Sequence, residues 1–308
     1  MKISTLNLGH QNYKKFIDEK GKTKFITPTK IDKEKILSKA VEDTISSIKE
    51  IIHHNPQIDV LSLTEIYFSV LYNSHFIANL ESMGLTYFVP NCNHCHSQYK
   101  KNSNYMQLST CIIMKKEFAK NFQVIDAEIM PNLFLGNRKG GLYDSCTARE
   151  CRILNDNFEI VSLYIPAGIG NRKYQSVKSH EKLLSEMKIN FKKNGNKKYI
   201  YLGDFNLIIP HFNDKKSLSE YKTNYPIPYF YFKDFLEEYD RLRTTNETWK
   251  EESSDTTHGL EKIDYIFSSQ FKSTKSSVYI IDPKTFSNKY HQEIQIIDHK
   301  PLSTDIEY

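Results

Sequence analysis

The 308-residue sequence has no long apolar run, and the longest runs are only a handful of residues. A helix that crosses a bilayer needs roughly 20 apolar residues, so no transmembrane segment is predicted. The residues after Met1 lack the basic, apolar and small-residue succession of a secretory signal. We therefore expect a cytoplasmic protein.

Cysteine is scarce and odd in number, with five residues in a chain long enough to fold without disulfides. This pattern favours free thiols in a reducing compartment. No repeat, proline-rich linker or low-complexity block divides the sequence. We therefore expect one domain over residues 1–308, and we expect a monomer.

Charge of either sign is in no large excess, because the formal net charge is +5 and the pI is about 8.7. This mild basic bias is compatible with a polyanionic substrate but does not require one. The 39% of hydrophobic residues, including 20 Tyr and 18 Phe, can bury a large core, which argues against a disordered chain.

Three helices are predicted from apolar residues at helical spacing. The first has Asp32 as its expected N-cap and ends before Pro56. The second covers residues 67–83 and is closed by Gly84, and the third covers residues 174–193.

Short apolar, β-type runs are more numerous than helices, which predicts a two-layer β core with helices packed outside. The predicted strands are 58–63, 87–89, 110–114, 122–125, 146–154, 158–165, 199–202, 262–267, 277–281 and 302–306. The first of these delivers Glu65 at its end, where we expect an exposed carboxylate at the rim of the sheet.

Three polar stretches without periodicity, 10–31, 91–107 and 210–228, are predicted to be surface insertions. One contains Cys92-Asn93-His94-Cys95-His96, which looks like half of a zinc site, although all four potential ligands could bind one ion locally. Because no second cluster follows to complete four ligands, a polar loop is the preferred interpretation.

The sharpest local motif is Gly203-Asp204-Phe205-Asn206, directly after an apolar strand. An acid and an amide two residues apart at a strand end lie on the same rim of a sheet. Taken alone, this motif is often only a turn.

Five further segments place a polar residue at or near the end of an apolar strand. They contain Asn7, Glu65, Tyr164, Asp264 and the pair Asp298-His299. In this order the six segments resemble the endonuclease/exonuclease/phosphatase superfamily, whose pattern runs Trp-Asn, Gln-Glu, Asn-x-His or Tyr-x-Pro, Gly-Asp-x-Asn, Arg-x-Asp-Tyr and Ser-Asp-His-x-Pro. The resemblance covers nearly the whole chain.

The resemblance implies an α+β fold, a four-layer αββα sandwich of two stacked mixed β-sheets flanked by helices. It also implies a metal site with Glu65 as principal ligand, supported by Asn7 and Asp298. Carboxylate and amide oxygens suit Mg²⁺ or Mn²⁺.

The same resemblance implies the catalytic roles. Asp264 orients His299 and favours its charged form beside the scissile phosphate. Asp204 orients and deprotonates the attacking water, and Asn206 holds a phosphoryl oxygen. The general base stays open between Asp204 and His299.

Tyr164 is the branch point within the superfamily. Exonuclease III, the abasic-site endonucleases and retrotransposon endonucleases carry Tyr-x-Pro here, whereas deoxyribonuclease I relatives, sphingomyelinases and inositol polyphosphate 5-phosphatases carry His. The sequence thus favours a nuclease acting on DNA. It departs from this branch at Leu6, Thr64, Ala167 and Lys262, and Ala167 weakens the transfer of abasic-site specificity.

Two other functions stay open. The first is a phosphatase or phosphodiesterase acting on a phosphoinositide, sphingomyelin or another small phosphoester. The second is an inactive binding module, although inactive members typically lose the metal Glu or the terminal Asp-His, and this chain keeps both.

Overall fold

The computed structural model describes residues 1–130, 146–165, 173–193, 196–210, 212–246, 263–269 and 272–307. Within these ranges, short 3-10 turns cover His10–Lys14, Val70–Tyr72 and Cys146–Arg149. The strands and helices follow in the order β1 (Lys2–Asn7), β2 (Lys15–Ile17), β3 (Thr23–Phe25), α1 (Lys30–His54), β4 (Val60–Tyr67), α2 (Ser74–Ser82), β5 (Leu85–Phe88), α3 (Asn93–Lys101), β6 (Leu108–Lys115), β7 (Gln123–Ile125), β8 (Glu150–Leu154), β9 (Phe158–Tyr164), α4 (Lys173–Phe191), β10 (Lys198–Asp204), α5 (Lys215–Asn224), α6 (Pro226–Asn246), β11 (Asp264–Ser268), β12 (Lys272–Val278), β13 (Thr285–Ser287), β14 (Glu293–Gln295) and β15 (Leu302–Glu307).

Two mixed sheets form the centre of the fold. One has the strand order β12-β15-β1-β4-β6-β5 and the other β11-β10-β9-β8-β7. Each contains one parallel pair, β1 with β4 and β9 with β10, among antiparallel neighbours. A parallel pair needs a long crossover, and α1 and α4 lie in the two connections.

The inner faces of the two sheets pack on each other through apolar residues of both, such as Ile3, Ile112, Ile160 and Ile200. A hydrogen bond of 2.7 Å between the Ser62 and Ser162 hydroxyls joins β4 to β9 in this layer. The buried core on the outer face of the first sheet includes α1 and α2, and that of the second includes α4 and α6. The predicted four-layer αββα sandwich is confirmed.

The start of α1 differs from the prediction, because Thr29 and not Asp32 is the N-cap. The Thr29 hydroxyl accepts a hydrogen bond from the Asp32 backbone N–H, and the Asp32 carboxylate accepts one from the Thr29 N–H. This reciprocal pair is a capping box, which places Asp32 at the third helical position.

The predicted helix over 67–83 is also wrong in its first turns. Strand β4 continues through a register shift between Leu63 and Ile66 and pairs with β6 as far as Tyr67. Helix α2 begins only after Asn73, whose side chain accepts hydrogen bonds from the first backbone N–H groups. The C-terminal end of the prediction is correct, since Gly84 follows α2 with a positive φ.

The three polar stretches contain regular structure that their lack of periodicity did not predict: the ribbon β2–β3, helix α3, helix α5 and the start of α6. The Cys92 sulfur caps α3 by accepting a hydrogen bond from the Cys95 N–H, and both thiols pack beside Phe68. Neither cysteine belongs to a group of three or more potential metal ligands among the described residues, and the segment predicted to be a polar loop forms helix α3 instead.

None of the four cysteines whose side chains are described forms a disulfide, as predicted, and all four are buried: Cys92, Cys95, Cys111 and Cys151. The Cys146 side chain lies outside the described part. In the part that the structure describes, no helix is long and apolar enough to span a membrane.

His180 is a buried histidine between α4 and α6. Its Nδ1 lies 2.8 Å from the Tyr239 hydroxyl, and the rings of Phe232 and Phe235 surround it. Burial lowers the pKa of His180 to about 3, and it lowers the pKa of His10 to a similar value. Both imidazoles are therefore neutral in the folded protein at neutral pH.

His10 and His180 should each contribute a loss of stability as the pH falls below about 6.5, because the unfolded state then binds protons that these two buried imidazoles do not bind. Each such group should lower the free energy of unfolding by roughly 1 kcal/mol between pH 7 and 5.5. His180→Gln should flatten this dependence in urea titrations, with His10 leaving a residual slope. The matched change at exposed His75, His75→Gln, should leave it unchanged, and equal slopes in all three proteins would contradict the assignment.

Candidate active site

Three residues at the ends of neighbouring strands form a row across the second sheet. In the strand register, Asp204 of β10 is opposite Tyr164 of β9 on one side and Asp264 of β11 on the other. Neighbouring strands lie about 4.8 Å apart, so the register alone brings these three side chains together.

Asp264 is hydrogen bonded to His299, which lies in the loop before β15. The Nδ1 atom of His299 is 2.7 Å from Oδ2 of Asp264, and both side chains are buried. Burial alone would lower the pKa of His299, but the carboxylates of Asp264, Asp204 and Asp298 raise it to about 10. The imidazole is therefore charged at neutral pH.

Asp204 receives hydrogen bonds on both carboxylate oxygens. The Asn206 backbone N–H donates to Oδ1 at 2.7 Å, and the Asn206 amide donates to Oδ2 at 3.0 Å. The Asn7 amide, at the end of β1 in the other sheet, donates to Oδ2 at 2.7 Å. Burial, followed by the charge of Asp264, raises the pKa of Asp204 well above its usual range.

Glu65 lies in β4 at the register shift, with a left-handed φ of 51°. It is only 4% exposed, so the prediction of an exposed rim carboxylate is wrong, because the bulge turns its side chain inward. The Gln11 amide donates to its Oε1 at 2.9 Å, and Tyr164 is a second partner. Burial raises the pKa of Glu65.

Tyr164 is buried between Glu65 and Arg149. Burial and the Glu65 charge raise the pKa of Tyr164 well above its usual range, so its phenol stays protonated and donates to the carboxylate. The Arg149 guanidinium lies 4.9 Å from the centre of the Tyr164 ring. This pair places a fixed positive charge beside the carboxylates.

The structure brings all eight predicted residues to one end of the two sheets: Asn7, Glu65, Tyr164, Asp204, Asn206, Asp264, Asp298 and His299. Asp298 is partly exposed, with Oδ1 4.0 Å from Nε2 of His299. Of the departures from the family pattern, Ala167 and Lys262 lie outside the described residues.

Gln11 and Arg149 are the site residues that the sequence did not reveal. Gln11 stands in a stretch predicted to be a surface insertion, and Arg149 stands in a predicted strand but occupies a 3-10 turn before β8. Neither position carries a periodic or motif signal that could have found it.

Among the described residues, one group of three side chains has the spacing to hold a metal ion, formed by Asp204, Asp264 and His299. Their ligand atoms lie within 4.8 Å of one another. The group differs from the predicted ligand set of Glu65, Asn7 and Asp298, which stays a prediction. A charged imidazole is a poor metal ligand, which disfavours His299 in that role.

No protein-family model matches the sequence, and no curated protein matches it. Solved structures match over the full length of both chains. A 3′ phosphatase, NExo, from Neisseria bound to product DNA hairpin gives a TM-score of 0.56 at 14% identity. An AP endonuclease from Archaeoglobus fulgidus gives 0.52 at 13%, and a mannosyl-6-phosphatase from Bacteroides thetaiotaomicron gives 0.50 at 12%. The likeness shows that the chain has the endonuclease/exonuclease/phosphatase fold.

Gly203, directly before Asp204, has a steric reason to be glycine. Its φ is 130°, and a Cβ atom added there would lie 2.0 Å from the Leu163 carbonyl oxygen of the neighbouring strand. Gly84 also has a positive φ, of 72°, but a Cβ there would meet nothing within 4 Å. Gly84 therefore has backbone strain alone, whereas Gly203 has backbone strain together with a clash.

Gly84→Ala should cost about 1–2 kcal/mol in the free energy of unfolding, from backbone strain alone. Gly203→Ala should cost roughly 1–3 kcal/mol more, because β9 and β10 must move apart. Urea titration of both variants measures the difference. Equal losses would mean that the close approach of Leu163 does not constrain the position.

Proposed function

We propose that this chain is a divalent-metal-dependent phosphodiesterase that hydrolyses DNA. The observation that carries the proposal is the buried cluster in which Asp204, held by Asn7 of the other sheet, faces the hydrogen-bonded pair Asp264–His299. Such a cluster combines a candidate base with a charged donor, as the hydrolysis of a phosphodiester requires.

Three observations support DNA as the substrate. Tyr164 stands where exonuclease III-like nucleases carry tyrosine, and the chain has a net charge of +5. Two solved structures with the same fold, at TM-scores of 0.56 and 0.52, are DNA-bound or named as an AP endonuclease. A basic protein gains affinity for DNA by releasing counterions.

The donor chemistry of the site fits a divalent metal. Four carboxyl groups, those of Glu65, Asp204, Asp264 and Asp298, face the cations His299 and Arg149, so a divalent cation would offset the excess of negative charge. We propose Glu65, Asn7 and Asp298 as the residues that hold Mg²⁺ or Mn²⁺. When bound, the ion polarises a phosphoryl oxygen and offsets the charge that develops on it.

The chain's own residues divide the proton chemistry. Asp204 has a raised pKa and fixed oxygens, which suits it to orient the attacking water and accept its proton. His299 carries a proton at neutral pH, which suits it to donate a hydrogen bond to a phosphoryl oxygen. We therefore propose Asp204 as the general base.

The Asn206 amide already donates hydrogen bonds within the chain, whereas its implied role is to hold a phosphoryl oxygen. Its amide donates to the Ile165 carbonyl at 2.8 Å as well as to Asp204. Holding a phosphoryl oxygen would require one of these bonds to break, so we propose that Asn206 orients Asp204.

One observation favours a second function, hydrolysis of a small phosphoester. The mannosyl-6-phosphatase matches over the full length of both chains, as the DNA-acting structures do. The fold therefore does not choose between a polymer and a sugar phosphate.

A cleavage panel with Mg²⁺ or Mn²⁺ tests the proposal on supercoiled plasmid, abasic duplex, single-stranded RNA and phosphoinositide. We expect DNA to be cut, chelation to abolish the activity, and binding to weaken steeply with salt. Hydrolysis of phosphoinositide without DNA cleavage would establish the phosphatase instead. Full activity in excess chelator would refute the metal assignment, and inactivity on every substrate would favour the binding module.

Asp264 and His299 should act as one unit. His299→Ala should lower kcat by several orders of magnitude, and adding Asp264→Ala should cost little more, because Asp264 acts through the imidazole. Kinetics of both single variants and the double variant on plasmid DNA measure this coupling. Additive losses would mean that the two residues serve independent steps.

A further inference from the structure

Two short hairpins lie side by side next to the active site. They are β2–β3 (residues 15–25) and β13–β14 (residues 285–295), which we call the paired hairpins. The Gln292 side chain accepts a hydrogen bond from the Ile17 N–H at 3.0 Å and donates to the Ile17 carbonyl at 2.7 Å. The Asn288 amide donates to the Lys15 carbonyl at 3.2 Å.

The paired hairpins present aromatic rings and lysines together. The rings of Phe16 and Tyr290 have centroids 4.9 Å apart, and the Lys289 ammonium lies 5.4 Å from the Tyr290 ring centre. Lys24 is opposite Phe16 in the β2–β3 register and shares its face, and its ammonium lies 2.7 Å from Oδ2 of Asp18. Tyr290 is 49% exposed, so packing within the fold does not account for it.

The position of the paired hairpins makes them continuous with the active site. The turn between β1 and β2 carries Gln11, which holds Glu65, and β14 is followed directly by the segment that carries Asp298 and His299. The Asn12 amide donates to the Ile296 carbonyl at 2.8 Å and ties the two segments together. The paired hairpins therefore border the candidate site, on segments that also carry its residues.

We propose that the paired hairpins bind single-stranded nucleotides flanking the scissile phosphate, with bases stacked on Tyr290 and Phe16 and phosphates paired with Lys289 and with Lys24, which exchanges its Asp18 partner for a phosphate. The inference rests on the proposed function. Every base has a π-face that an exposed aromatic ring can take without sequence preference. The interleaved lysines complement the backbone charge.

Binding can be measured without cleavage, in excess chelator, with single-stranded oligothymidylate as the probe. Tyr290→Ala should weaken binding roughly tenfold, because one stacked base contributes about that factor. Tyr290→Phe should restore the affinity, since it keeps the ring. Phe230→Ala, which removes an aromatic side chain that is 78% exposed on α6, is the matched control and should bind as the parent does.

Stacking has its own spectroscopic test. Tyr290→Trp adds one indole to a chain whose single tryptophan is Trp249, and the parent protein supplies the baseline. Oligothymidylate should quench the added fluorescence, and an abasic oligomer of the same length and charge should not. Equal quenching by both would reduce the contact to electrostatics and overturn the stacking.

Two further measurements separate the possible outcomes. Binding of the Tyr290→Trp protein to phosphatidylserine vesicles, with no response to oligothymidylate, would overturn the proposal in favour of a membrane surface.

Hydrolysis of bis(4-nitrophenyl) phosphate by the parent protein tests the proposed function separately. If that activity is present and Tyr290→Ala binds oligothymidylate normally, only the inference about the paired hairpins fails. If base-dependent quenching occurs in a protein that cleaves no phosphodiester, only the proposed function fails.

Discussion

The register of β10 with its two neighbours is the constraint on which the site depends. Because Asp204 is opposite both Tyr164 and Asp264, two carboxyl groups and a phenol lie side by side at one end of the sheet. Strand spacing leaves little room for water between them, so their charges interact strongly. The hydrogen bonds from Asn7 and Asn206 to Asp204, and the contact of His299 with Asp264, offset that repulsion.

The same crowding links stability to chemistry. Burial of Glu65 and Asp204 raises the pKa of both, so the folded chain holds carboxyl groups in an environment that disfavours their charge. Ionised carboxylates in such a site are stabilised by a bound cation or by positively charged side chains of the chain itself. Arg149 and His299 supply such groups from within the chain.

The sequence predicted the parts of this arrangement that short motifs next to apolar strands indicate. Asp204, Asp264 and His299 stand beside apolar strands, and the resemblance that the order of the six motifs carries implied both the sandwich and the residues that meet. Long-range contacts and conformational details were not predicted from the sequence. Gln11 reaches Glu65 only through the turn after β1, and the inward bulge at Glu65 depends on the pairing of β4 with β6. Thr29 was missed because its capping partner is an aspartate, not the usual glutamate.

Strand β1 lies inside its sheet, paired with β4 on one side and β15 on the other, and the amino group of Met1 donates to the Ile306 carbonyl. During synthesis, Asn7 leaves the ribosome long before His299 and the strand β15 beside it. Pairing between such distant segments is slow, because a long loop must close before any contact forms. The nascent chain should therefore emerge without an assembled site, with an unpaired edge on β1 open to misassembly until β15 arrives.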